Sequence, residues 1–224
     1  MKSACFLLFS AVVAMAQTTT TRIPFVRAVG QATVAVTPDQ AKIDFSVTTQ
    51  SNTAQSAASS NATLTSAVIA ALQSVLGMNA GIRTIGYSLT ALYSYPQNQP
   101  AVLTGYSATN TVKATVTDLS SVGRVIDAGI QAGATQVAGL TFGLQNPQPA
   151  VTQALNLATA QAKSNADAIT SGLSMHTGAV QTLQQATDTA SPTTVPGTTA
   201  TVTPVQVGTV SVSATVTAEF AITP

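Results

Sequence analysis

Apolar and polar side chains alternate along several stretches of the chain. From Phe25 to Val36, Val26, Ala28, Ala32, Val34 and Val36 share one parity. The pattern predicts a strand, with Gly30 marking a bulge or a close approach of another backbone. Thr37-Pro38-Asp39 is a turn signal. Ala41, Ile43, Phe45 and Val47 then alternate with Lys42, Asp44, Ser46 and Thr48, which gives a strand with one buried and one wet face. Ile82 to Tyr95 and Val102 to Thr117 repeat the period of two. In the second of these, Asn110 is the polar exception on the apolar side, and a buried asparagine needs hydrogen-bond partners. Gln136 to Leu144 and Val180 to Ala186 read as shorter strands. Val207 to Ile222 is the last, with Val210, Val212, Ala214, Val216, Ala218, Phe220 and Ile222 on one face.

Three stretches have helical spacing instead. Residues 53–76 follow a cap at Asn52 or Thr53, carry a stripe of Ala57, Asn61, Leu64, Val68, Leu72 and Val75, and end at Gly77. Asp118 caps a second helix with Leu119, Val122, Ile126 and Ile130 as its stripe. Pro147 opens a third, with Val151, Leu155, Ala158, Ala162, Ile169 and Leu173 on its apolar face. The elements run ββ-α-ββ-α-β-α-ββ. Each long strand is apolar on one face only, so the expected fold is α+β: a mixed, largely antiparallel sheet with about three helices packed on one face.

The beginning of the chain has another character. Lys2 precedes the apolar run 4–14, and Ala14-Met15-Ala16 has the small residues of a cleavage site before Gln17. Residues 1–16 are therefore expected to be a secretory signal peptide, cleaved after Ala16. Residues 17–24 read as a polar linker and 25–223 as a single domain. Within it, 188–206 is a Thr/Pro-rich mobile loop or an extended hairpin. No later run is long and apolar enough to span a membrane. The expected location is the periplasm.

Composition narrows the chemistry. The whole chain has eight basic and seven acidic side chains, one cysteine and one histidine. The cysteine, Cys5, leaves with the leader, so no disulfide, thiol nucleophile or thiolate metal site is expected afterwards. Loss of Lys2 brings the net charge to zero, and the remaining basic residues are scattered. That excludes a nucleic-acid partner, which would need clustered Lys and Arg, and does little to oppose self-association. Asp39, Lys42 and Asp44 form the densest charge cluster. Their positions give a turn aspartate and a solvated ion pair on a wet strand face, not a desolvated carboxylate pair. His176 follows Ser174 in a loop, without triad or nucleophile-elbow spacing. The glycine pairs Gly129/Gly133 and Gly139/Gly143 read as close packing. Tyr87, Tyr93, Tyr95 and Tyr106 cluster on two neighbouring strands, as packing or edge residues or as a glycan- or peptide-binding patch. The expectation is no catalytic, metal or cofactor residue.

Longer stretches carry a family likeness. "VRAVGQATVAVTPDQAKIDFSV" is similar to the opening of SIMPL-domain proteins, where a glycine-containing strand leads to a Pro-Asp-x-Ala strand. "GIRTIGYSLTALYSY" resembles that family's Ile-x-Thr-x-x-Tyr-x-Leu strand. "GYSATNTVKATVTDLSSVGRVIDAGIQAGATQVAGLTFGL" resembles its most distinctive stretch, and "VQVGTVSVSATVTAEFAI" its closing strand. The likeness covers about 26–222. Two departures stand out: Gly30-Gln31-Ala32 replaces a common Gly-Glu-Gly, and the third helix lacks the family's usual charges. The resemblance implies an exported, self-assembling envelope protein tied to oxidative-stress defence, with no agreed catalytic residues. The alternative is a periplasmic binding module that presents its tyrosine strands or the 188–206 loop to a glycan, peptide or envelope protein.

Overall fold

The computed structural model describes residues 23–77, 81–192 and 205–224. The signal-peptide stretch, most of the polar linker and the middle of the 188–206 segment lie outside the described residues. The elements are β1 (Phe25–Val36), β2 (Gln40–Ser51), α1 (Ala54–Leu76), β3 (Gly81–Ser94), β4 (Val102–Val116), a 3₁₀ turn (Leu119–Ser121), α2 (Val122–Gln131), β5 (Gln136–Gly143), α3 (Gln148–Ser171), β6 (His176–Pro192) and β7 (Val210–Thr223). The α+β class and the element order are those expected.

The strands form two sheets, ordered β1-β7-β6 and β3-β4-β2-β5, and every pairing in them is antiparallel. Period-two patterning reports which face of a strand is buried but not which strand lies beside it, so the division into two was not readable from it. The chain passes between the sheets at Thr37-Pro38-Asp39 and again through α3. Asp39 fastens the first crossing to the second. Its N–H donates to the Gly143 carbonyl (3.1 Å), and its carboxylate accepts from the Gln145 N–H (2.6 Å).

Helices α1 and α2 cover one face of the four-stranded sheet. Ile43, Phe45, Val47, Val112 and Val116 from the strands meet Val68 and Leu72 of α1 and Val122 and Val125 of α2. The cap at Thr53 is as expected, its hydroxyl accepting from the Ser56 N–H at 3.2 Å. Asn61 is fully buried and donates to the carbonyls of Val47 (2.8 Å) and Ala108 (3.0 Å), which ties α1 to β2 and β4.

Helix α3 covers the three-stranded sheet with a different surface. Its buried residues are Ala150, Ala154, Ala158, Ala162, Ala166 and Thr170, one every four positions. Of the expected stripe, Ala158 and Ala162 are buried and Val151 and Leu155 pack at its margin, but Ile169 and Leu173 are corrected: they are 50% and 65% exposed. Similar slips occur elsewhere. Thr65, not Leu64, faces the core from α1, and α2 buries Val125 and Gly129 while Ile130 points outward. The reason for the alanine seam lies on β1. A Cβ placed on Gly30 would fall 1.9 Å from the Ala158 carbonyl oxygen and 2.4 Å from the Ala162 nitrogen. Gly30 stays in register with Val216, so it marks the close approach and not the bulge. Only small residues allow a helix backbone so near a sheet.

Candidate functional site

Several of the carboxylates have structural partners. Asp39 clamps the crossing described above. Asp44 lies opposite Lys113 of β4, and the two form an ion pair at 3.5 Å. This corrects the expected Lys42–Asp44 pair, because the cross-strand partner is nearer in space than the neighbour along the strand. The contact is too poorly aligned to be a hydrogen bond, and Asp44 Oδ1 is buried without one. Asp118 caps the 3₁₀ turn, accepting from the Ser120 hydroxyl (2.6 Å) and N–H (3.1 Å). The Ser120 hydroxyl, with the Ser120 N–H and the Arg124 charge, holds the Asp118 carboxyl below its ordinary value.

Asp167 joins α3 to β6. It accepts from the Thr177 hydroxyl and from Lys163 Nζ at 2.9 Å. The Thr177 hydrogen bond, then the Lys163 ammonium, lowers its pKa from 3.8. His176 starts β6 beside this group, exposed, opposite Thr223 of β7. It lines a cleft of about 190 Å³ together with Asp167, Thr170 and Met175. Asp39 lies past the other end of the same sheet. Strand β1 has 12 residues, which sets the two on the order of 35–40 Å apart. Asp39, Asp44 and His176 therefore share no site. Among the described residues no three of His, Cys, Asp and Glu come together in a way that could hold a metal ion.

Close packing holds for the Gly129/Gly133 pair but not for Gly139/Gly143, where an added Cβ would meet nothing nearer than 3.7 Å. Gly129 sits against the Phe45 ring, where an added Cβ would lie 2.5 Å from ring carbon Cε1. Asn110 faces the helix side as expected, but its Oδ1 finds no hydrogen-bond partner among the described residues.

Two edge strands are largely uncovered among the described residues, β6, with Val180 and Leu183 exposed, and β3. Strand β3 is an edge of the four-stranded sheet, 14 residues long, and Arg83 is its one charged residue. Helices α1 and α2 lie over the sheet further in. Tyr87 and Leu89 are consequently 54% and 41% exposed, with Ile85, Tyr93, Tyr95, Val102 and Leu103 also open to solvent on the same hairpin. Tyr106, on β4, is half-buried. The tyrosines thus form an exposed group, as the spacing had allowed. A cleft of about 440 Å³ is at the other end of the sheet, between Val75 and Leu76 of α1, Gly81, Thr115 and Thr117, and Asp118, Ser121 and Arg124. No sequence signal pointed to it, because its walls come from five elements.

The sequence model of the SIMPL family, described as proteins of unknown function (DUF541), matches residues 26–220. This chain belongs to the SIMPL family. Its curated relatives include the 26 kDa periplasmic immunogenic proteins of Brucella melitensis biotype 1 and of Brucella abortus strain S19. Each is 27% identical over 162 residues, covering 69% of this chain. The SIMPL chain spans about two thirds (65%) of those relatives' length. Among solved structures, AtUAH in complex with glyoxylate aligns at 12% identity with a TM-score of 0.28, covering 58% of this chain and 34% of that one. A likeness that low carries no argument about the SIMPL fold or its chemistry. No described helix is long and apolar enough to cross a membrane.

Proposed function

We propose that this SIMPL protein is an exported periplasmic envelope protein without catalytic activity, which assembles with copies of itself and supports tolerance of oxidative stress. The observation that carries the reading is strand β3. An edge strand of this length, nearly uncharged and flanked by exposed tyrosine, leucine and isoleucine, is what water-soluble monomers normally avoid. Its unpaired N–H and C=O groups and its apolar side chains are both satisfied by a second strand. The assignment of several carboxylates to caps, clamps and cross-strand pairs supports the non-enzymatic part. Family membership and the periplasmic relatives support the location. Size-exclusion chromatography with light scattering on the protein from residue 17 onward tests it. A mass of several protomers is expected, and a monomer at high concentration refutes assembly.

A second reading has its own observation. Tyr93 and Tyr95 stand out from the hairpin, Tyr95 at 78% exposure, and exposed tyrosines are good contact residues for a glycan, peptide or envelope protein. A Tyr93→Ala, Tyr95→Ala double variant that keeps wild-type thermal stability but loses partner capture from a periplasmic extract would favour it. Unchanged capture by that variant would reject it.

A further inference from the structure

The face of the four-stranded sheet opposite the helices has an unusual charge arrangement. All four charged residues of that sheet point to it: Arg83 of β3, Lys113 of β4, and Lys42 and Asp44 of β2. Three cations are answered by one carboxylate, in a chain with only eight basic residues. The cations are also opposed. Arg83 lies directly across from Lys113, and Lys113 directly across from Asp44, so the row reads Arg83, Lys113, Asp44 over three neighbouring strands. Directly opposed side chains have their Cβ atoms about 4.5–5.5 Å apart, and like charges there repel. Asp44 relieves one cation at 3.5 Å, and no hydrogen bond or ion pair to Arg83 occurs among the described residues.

The ground around Arg83 is open. On the same face of β3 its neighbours are Gly81 and Gly86, opposite Thr115 and Thr111 of β4. Neither glycine has a side chain to cover the cations, the bulge residue Ile85 stands between Arg83 and Gly86, and the two threonines flank Lys113, the Thr111 hydroxyl also meeting that of Ser46 at 3.4 Å. The Gly81–Thr115 row is also a wall of the 440 Å³ cleft, so a body attached to whatever sits on Arg83 has room beside it.

We propose that Arg83 and Lys113 form a binding site for an oxyanion, a phosphate or carboxylate group, with the hydroxyls of Thr111 and Thr115 as further donors. The guanidinium offers a planar fork that takes two oxygens of such a group, and the ammonium a point charge beside it. The anion offsets the repulsion between the two opposed cations. The site lies on the opposite face of β3 from Tyr87 and does not depend on assembly.

Thermal unfolding of the purified protein in sodium phosphate and in sodium chloride of equal ionic strength tests this, with sodium acetate as a third arm. Phosphate also stabilises proteins without binding a site, so the deciding quantity is the difference between wild type and Arg83→Gln. At about ten times its Kd, a bound anion should raise the wild-type midpoint by about 3–6 °C more than it raises the midpoint of Arg83→Gln. A response to phosphate alone assigns a phosphate-bearing ligand, and one to acetate a carboxylate. Arg83→Gln should leave the midpoint in chloride unchanged or slightly higher, since it removes a like-charge pair. Equal responses in wild type and Arg83→Gln overturn the proposal. So does a large fall of the Arg83→Gln midpoint in chloride, which would make Arg83 a structural residue. Lys113→Gln should lose the anion response too, with a lower midpoint in every salt because Asp44 loses its partner.

Discussion

Gly30 is the position where one added carbon matters most. The space its missing Cβ would take is filled by the backbone of α3, which cannot swing aside as a side chain can. Gly30→Ala should therefore cost about 3 kcal/mol or more, at the top of the range for overpacking. At Gly139 an added Cβ meets Asp44 at ordinary contact distances of 3.7–3.9 Å, so Gly139→Ala should change stability by about 0.5 kcal/mol or less. Urea midpoints of the two variants measure the contrast. Asp167 gives a second prediction at this scale. Its folded-state pKa is depressed, so its contribution is present above the unfolded value of 3.8 and is lost as pH falls through the lower folded value. Asp167→Asn should flatten the acid limb of the stability curve below pH 3.8 relative to wild type. Stability measured by denaturant between neutral pH and that limb checks this, and a parallel acid limb in Asp167→Asn would disprove it.

Among the elements, α3 shows how a helix can be held by small residues. An alanine buries little area, roughly 0.8 kcal/mol for each methyl-sized group, so a seam of alanines needs compensation from closeness of packing. Closeness is what Gly30 and the seam together permit. Larger residues on the seam should then harm more than their hydrophobicity helps. Ala158→Leu, at a fully buried position, should destabilise by about 1–3 kcal/mol or more. Ile169→Ala, on the same helix but half exposed, should cost under about 1 kcal/mol although it deletes a larger apolar group. Thermal midpoints of the pair decide it. If Ile169→Ala is the worse of the two, the seam is not what holds α3.

At the scale of the whole molecule, two antiparallel sheets each have one helix-covered face, and the edge strand β3 projects past its cover. Pairing between copies along β3 would bury the apolar hairpin without disturbing either core. Leu89→Lys places a charge in the middle of that edge. It should shift the native mass toward monomer by light scattering while leaving the midpoint of a dilute sample within a few degrees of wild type. Retention of the full assembly mass by Leu89→Lys would move the contact elsewhere. Charge is also unevenly spread at this scale, with the cationic excess of sheet β3-β4-β2-β5 confined to its outer face.

Local pattern by itself determined the order and type of the elements, because apolar spacing near two or near 3.6 is a property of neighbours along the chain. It placed the cap at Asn52 or Thr53, of which the structure uses Thr53, the turn at Thr37-Pro38-Asp39 and the inward residues of β2, β4 and β7. It also placed Asp39 in the turn and Asp44 on the strand face away from the helices, but not the burial of Asp44 Oδ1, which depends on the neighbouring strands. The tertiary structure alone decided which large residues stayed outside. Ile169, Leu173 and Ile130 look like core and are not, since the partner surface dictates what a helix face can hold. It decided that strands of one alternation belong to two sheets, which follows from pairing across long chain separations. And it set Arg83 against Lys113, whose meeting depends on the register of β3 on β4, bulges included, and is invisible in either strand read alone.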